Sequence, residues 1–237
     1  MKVIDGTPEY ILIEPTEGML DINEWKKGIS TIIRKAEKGK VKRVGVTLHR
    51  NRDHYESCSD YLISSGFEHF ASKVNVYRDL KEMESFHPYT WRTLEDRGTT
   101  EKAFMEVWRM CRQGSDNAAS TLSMEQHLQS VKQELGSGWK YSCRIFYKDH
   151  QPIGIAIPHI EPGTTNEGRL FYFGVFPSAR SKGTGSTLHR QALGCLKEMG
   201  AEYYIGSTHL NNEKMQRVFE KNGCHIHAYT ESYYKYF

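Results

Sequence analysis

Residues 170–193 hold three kinds of chain in direct succession: an apolar, aromatic strand (Leu170, Phe171, Tyr172, Phe173), a glycine-bearing loop, and a helix-forming run over 187–193. The loop reads Val175-Phe176-Pro177-Ser178-Ala179-Arg180-Ser181-Lys182-Gly183-Thr184-Gly185-Ser186. A strand that turns through glycines straight into a helix commits the chain to helices layered on a sheet. It also aims several backbone N–H groups and the positive end of a helix dipole at one point, which favours an anion and phosphate above all. Glycines at 183 and 185 permit the tight turn and a close approach to the backbone, and Arg180 and Lys182 add positive charge. Two phosphate loops are excluded by spacing. A P-loop needs Gly-x-x-x-x-Gly-Lys-Ser/Thr and a dinucleotide fold needs Gly-x-Gly-x-x-Gly, whereas this loop is Arg-x-x-Gly-x-Gly. Taken alone, the glycine pair serves an anion site or simply a turn.

The rest of the chain narrows the class. With 32 Lys+Arg against 29 Asp+Glu, the net charge of +3 is too balanced to point to nucleic acid. No apolar run approaches the ~18–20 residues that span a bilayer, and the first residues lack a signal-peptide core. The five cysteines (58, 111, 143, 195, 224) are odd in number, scattered and without a Cys-x-x-Cys pair. That pattern favours free thiols in a reducing cytoplasm over disulfides or zinc. His225 and His227 share a strand face, yet no third ligand stands in register, so no metal is expected.

From Ser123 the chain reads as a helix over 124–135, with Ser123 and Gln126 as a capping box and Gly136 as the stop. Strands follow at 141–147 and 153–160 with hairpin spacing, then a turn-rich loop, the strand at 170–175 and the glycine loop. The next helix runs to about Met199. A strand at 203–207, a helix from Asn212 to about Lys221 and an aromatic strand reaching Phe237 complete the order.

Residues 212–224 read Asn-Glu-Lys-Met-Gln-Arg-Val-Phe-Glu-Lys-Asn-Gly-Cys. Met215, Val218 and Phe219 recur at helical spacing and face a core, Gly223 ends the helix, and Asn212 suits the N-cap. Together the two motifs resemble the GNAT acyltransferase superfamily. Its pyrophosphate loop is Arg/Gln-x-x-Gly-x-Gly/Ala, preceded by Val-x-Pro, and its last helix is Asn-x-x-Ala-x-x-Leu-Tyr-x-x-x-Gly-Phe. The resemblance covers about residues 86–237. It implies an α+β fold, an α/β/α sandwich on a mixed, mostly antiparallel sheet.

An echo stands in the first third. Residues 55–67 repeat the spacing of the last helix, with Cys58, Tyr61, Leu62 and Gly66 over Met215, Val218, Phe219 and Gly223. A strand-like run at 43–48, an amphipathic helix carrying Trp25, Ile29, Ile32 and Ile33, and a short strand at 10–13 precede it. Residues 9–80 thus resemble the second half of the same fold. In place of the anion loop stands the acidic stretch 16–24, which would repel a pyrophosphate. An unrelated βαβα segment would read similarly. The expected organisation is a degenerate half-GNAT region without a coenzyme site over 1–85 and a GNAT domain over 86–237, with 81–101 as the connection.

The resemblance implies that acetyl-CoA, the acyl-donor substrate, lies where the strand ending at Val175 parts from its neighbour. Backbone groups of Phe173, Gly174 and Val175 would pair with the pantetheine. Arg180 and residues Ser181, Lys182, Gly183, Thr184, Gly185 and Ser186 would hold the pyrophosphate, with Asn212 and Phe219 also beside the coenzyme. An amine of a small molecule or peptide would attack the thioester directly, and a strand N–H would stabilise the oxyanion. The family's usual proton-handling positions carry Phe219, Ser207, Phe171 and Arg169, none of them an evident acid or base. His209, on the strand face of Ser207, is the remaining titratable candidate, and the pair His209 and Ser207 is the expected catalytic set. Arg169 and Phe171 are the expected acceptor contacts, Arg169 as a bidentate carboxylate or phosphate clamp. A catalytically silent coenzyme-binding module and a protein lysine or N-terminal acetyltransferase are the alternatives. The expected protein is a cytoplasmic monomer or homodimer with no nucleic-acid or membrane partner.

Overall fold

The computed structural model describes residues 2–14, 21–117, 120 and 122–237. The acidic stretch over 16–20 lies outside the described residues. The chain divides into two packed units, one of residues Met1–Asn75 with Ile226–Phe237, the other of Val76–His225.

In the first unit, β1 (Lys2–Gly6) and β2 (Tyr10–Glu14) pair antiparallel, and helix α1 (Ile22–Gly39) leads to β3 (Arg43–His49), which pairs parallel with β2. Helix α2 (Tyr55–Ser64) follows, then β4 (Glu68–Asp79). Asp21 caps α1 by accepting from the N–H groups of Asn23 and Glu24. Trp25, Ile29 and Ala36 bury one face of the helix against Ile11, Ile13, Val44 and Val46. Gly66 closes α2 with φ of 83° and Gly223 ends the last helix with φ of 66°, so the two aligned glycines serve the same left-handed cap.

The strand that completes this unit comes from the far end of the chain. Strand β10 (His225–Tyr236) pairs antiparallel with β3 from Thr230↔His49 to Tyr236↔Arg43 and lies between β3 and β4. The sequence reading assigns this segment to the second domain and draws the boundary at 85/86; by packing, residues 76–85 belong with the second unit and 226–237 with the first. Polar contacts hold β10 in this register. Glu231, 2% exposed, meets Arg50 at 2.7 Å, His69 at 2.6 Å and Ser72 at 2.6 Å, and the Tyr233 hydroxyl bonds that of Ser59 at 2.9 Å.

The second unit layers helices on both faces of a mixed sheet ordered β9-β8-β7-β6-β5. Its strands are β5 (Thr90–Thr93), β6 (Arg144–Lys148), β7 (Gln151–Ile160), β8 (Glu167–Val175) and β9 (Tyr203–His209). All pairs are antiparallel except β8 with β9. Helices α3 (Glu101–Arg112) and α4 (Met124–Leu135) cover one face through Phe104, Trp108, Leu128 and Val131, packed on Ile145, Ile155 and Ile157. On the other face, α6 (Thr184–Glu198), which follows a short helix α5 (Trp139–Ser142), sets Leu188, Ala192 and Cys195 against Phe146 and Ala156. Helix α7 (Glu213–Lys221) adds Phe219 beside Leu193, Leu196 and Tyr204. The capping box at Ser123 and Gln126 is present. Two local readings change, and one helix is added on which the sequence reading is silent. The connection over 81–101 contains β5, α3 is a full helix, and Tyr141 sits in the helical turn before β6, because residues 136–142 continue helically past Gly136.

Candidate active site

The site begins where two strands part. Strands β8 and β9 pair only at Glu167↔Tyr203 and Gly168↔Tyr204, and the rest of β8 runs on along β7 without a β9 partner. Between Ala156↔Phe173 and Pro158↔Leu170 the register slips by one residue, a bulge in β8 around Phe171 and Tyr172. Backbone polar groups on the open side of β8 are therefore available to an extended ligand, much as an edge strand is.

The glycine loop closes one end of this gap. Gly183 is the N-cap of α6 with φ of 77°, and no side chain caps the helix. The N–H groups of the first turn thus have no acceptor within the helix. A Cβ at Gly183 would meet nothing within 4 Å, so the approach to those donors is open. A cavity of about 370 Å³ lies there, lined by Phe173, Gly174, Val175, Arg180, Ser181, Gly183, Gly185, Ser186 and Asn212, and by Lys214, Arg217 and Lys221 of α7. Lys214 pairs with Asp116 at 3.0 Å and Arg217 with Glu213 at 2.9 Å, both exposed pairs of the weak kind that a phosphate can displace. Uncapped donors, missing Cβ atoms and a cationic rim fit a pyrophosphate, and the open β8 edge fits the arm that follows it.

Nine of the residues expected to contact coenzyme meet at this cavity. Lys182 turns to the Ser178 carbonyl at 3.1 Å, and Phe219 lines the neighbouring cavity. Arg180 stands there in a different posture from the one its charge implies. Its guanidinium donates to the carbonyls of Val175, Cys111, Gln113 and Gly114 at 2.7–3.1 Å, which ties the loop to the end of α3. Asn212 accepts from the Met215 N–H at 3.0 Å as N-cap and reaches Asn117 at 3.4 Å. Asn222 fixes the underside, donating to the Ser186 carbonyl at 2.9 Å and facing His189 Nδ1 at 3.0 Å. Burial and the charge of Arg78 push the His189 imidazole down to about 3, so it stays neutral.

A second cavity of about 360 Å³ adjoins at Phe173, Asn117 and Met215. Its walls are Trp108 and Arg112 of α3, His127 of α4, residues 170–173 of β8, Tyr204, Ser207 and Thr208 of β9, and Phe219. Ser207 and Phe171 thus reach this cavity. His209 ends β9 half-buried and Arg169 sits at the start of β8, and neither lines the cavity. Arg169 is held by Glu167 at 2.6 Å and Glu161 at 3.3 Å. Tyr172 is raised well above the ordinary phenol range, first by burial and then by nearby Cys111. His127 is lowered by burial and by Arg112, whose Nη1 contacts its Nε2. Burial pushes Cys195 up to about 11 and Cys224 to about 12, which keeps both as thiols. Among the described residues no group of three or more metal-ligating side chains forms, and no helix is long and apolar enough to cross a membrane.

The α7 cations escaped the sequence reading although Lys214, Arg217 and Lys221 stand at helical spacing, one face apart from Met215 and Val218. Arg112, His127 and Trp108 were beyond it, since α3 and α4 come to β8 only through the fold.

A family model described as the acetyltransferase (GNAT) family matches residues 102–224. Among solved structures, a GCN5-related N-acetyltransferase from Sphaerobacter thermophilus is 14% identical with a TM-score of 0.67, over 99% of this chain and 75% of that one. A GCN5-related N-acetyltransferase from Kribbella flavida is 14% identical with a TM-score of 0.62, over 95% and 80%. A tandem GNAT protein from the clavulanic acid biosynthesis pathway is 11% identical with a TM-score of 0.52, over 98% and 76%. At such identities these likenesses speak for the fold, and they extend it to the first unit. No curated protein matches the sequence. With its family match spanning more than half of the sequence, the chain belongs to the GNAT acetyltransferase family.

Proposed function

We propose that the protein transfers an acetyl group from acetyl-CoA to the amine of a small molecule or peptide, by direct attack within a ternary complex. The observation that carries this reading is the gap between β8 and β9 beneath the uncapped start of α6. The N–H groups of residues 183–186 and the α7 cations hold the pyrophosphate, while β8 from Phe173 to Val175 pairs with the pantetheine. The thioester then reaches the β8 bulge, where a strand N–H faces the developing oxyanion.

The amine nitrogen forms a bond to the thioester carbon and the carbon–sulfur bond breaks. His127 is the one imidazole among the described lining residues of the second cavity, and burial together with Arg112 lowers its pKa, which favours the neutral form that can accept the ammonium proton. Tyr172, held protonated by burial, supplies a proton to the leaving thiolate. Ser207 and His209 remain the competing pair on β9. Calorimetric titration with acetyl-CoA, followed by thiol release across an amine panel with H127Q and H209Q, tests the reading. Tight acetyl-CoA binding with turnover lost in H127Q is the expected result. Binding without turnover on any amine supports a silent coenzyme-binding module instead.

A further inference from the structure

The second cavity carries one sign of charge. Arg112 lines it and makes no salt bridge to a carboxylate among the described residues; its contact is the ring nitrogen of His127. No Asp or Glu stands among the described lining residues, and the undescribed residues 118, 119 and 121 are Ala, Ala and Thr. The remaining polar groups are neutral: Asn117, Ser120, Ser207 and Thr208 can each donate or accept. Trp108 Nε1 is buried with no hydrogen-bond partner among the described residues, the buried Tyr172 hydroxyl has the Asn117 side chain beside it, and the two rings pack at 5.1 Å. The remaining lining is largely aromatic and apolar, notably Phe171, Phe173, Tyr204 and Phe219. At about 360 Å³ the space stands at the small end of ligand pockets, which run from about 300 to 1,000 Å³.

We infer that the acceptor is a small amine carrying both an aromatic or large apolar body and a carboxylate, and that Arg112 takes the carboxylate. This rests on the acetyl-transfer reading above and names its acceptor class. The guanidinium is a planar, permanently charged donor fork that suits a carboxylate, and a cation with no acidic partner beside the unpartnered Trp108 N–H has unfilled hydrogen-bonding capacity. An ε-ammonium or polyamine acceptor would find no counter-charge here and would meet the repulsion of Arg112. The anion clamp that the sequence places at Arg169 is, on this argument, Arg112, because Arg169 is already taken by Glu161 and Glu167.

The test is a matched pair. The CoA-saturated protein is titrated calorimetrically with L-phenylalanine and with phenethylamine, which lacks the carboxylate, using wild type, R112Q and R112K. The expected result is L-phenylalanine bound about tenfold or more tightly than phenethylamine by wild type, a preference reduced to within about threefold in R112Q and partly kept in R112K. Equal or tighter binding of phenethylamine, absence of binding by both, or a preference that survives R112Q overturns the inference. A mere packing role for Arg112 would weaken both ligands alike and leave the ratio unchanged, which also overturns it. Absence of thiol release from acetyl-CoA with either amine, the binding preference being intact, sinks the transfer reaction and leaves the acceptor class standing.

Discussion

The two units build the same run of strand, helix, parallel strand and helix, and they treat the crevice at its centre in opposite ways. In the first, β2 and β3 pair from Ile11↔Val44 to Ile13↔Val46, and the space above Gly45 is filled by Leu12 and Tyr234. In the second, β8 and β9 part after two pairs. The helix that follows is capped by the Asp21 carboxylate in the first unit and starts at an uncapped glycine in the second. An aspartate cap occupies the same donors that an external anion needs. Whether such a crevice binds a ligand therefore depends on two local choices: how far the parallel pairing runs, and whether the chain supplies its own anion.

The strongest attempt to break this contrast gives the second unit the first unit's anion. Gly183→Asp suits a left-handed position, since Asp tolerates it, and its carboxylate would enter the donor cluster. Acetyl-CoA affinity should fall about 100-fold or more by calorimetry with Tm little changed; unaltered affinity would refute the anion site. Next in size, Tyr172→Phe should lower kcat about 10- to 100-fold with a nearly constant KM for acetyl-CoA, while an unchanged kcat removes Tyr172 as the acid. Acid should also separate the units. His189 is neutral when folded, with a pKa near 3, and gains a proton at ordinary values when unfolded. Stability should therefore fall as pH drops below about 6.5, a loss visible as faster hydrogen exchange in α6 and flattened by His189→Gln. Asp21 is lowered by the N–H groups of Glu24 and Asn23, so its contribution is present above the ordinary carboxylate range and lost only at more acid pH. Smallest of all, Lys214→Gln and Arg217→Gln should each weaken acetyl-CoA about two- to fivefold and reduce the salt dependence of binding. Asp21→Ala should leave that affinity untouched.

Much of the contrast was legible in the residues. The glycines at 183 and 185, the Asn212 cap and the aligned Gly66 and Gly223 are local requirements of backbone geometry, and local requirements show in the order of residues. The acceptor side was not legible. Trp108, Arg112 and His127 have no spacing that links them to Tyr172, which lies on a strand reached only after α4, β6 and β7 have been laid down. The charge of Arg180 points to a phosphate ligand, and the fold sets its guanidinium on four backbone carbonyls instead. The site of β10 was hidden too, because an aromatic strand fits many places in a sheet and the choice is made by Arg50, His69 and Ser72 around Glu231.

Strand β10 also sets a schedule. Residues 226–237, which seal the β3 edge of the first unit, leave the ribosome after every residue of the second unit has been made. Until then β3 exposes an unpaired row of backbone groups, the kind of edge that recruits other chains. The unit translated first is thus the one finished last, and a chain stalled near residue 224 would hold every residue of the second unit while the first unit still carried an open, aggregation-prone edge.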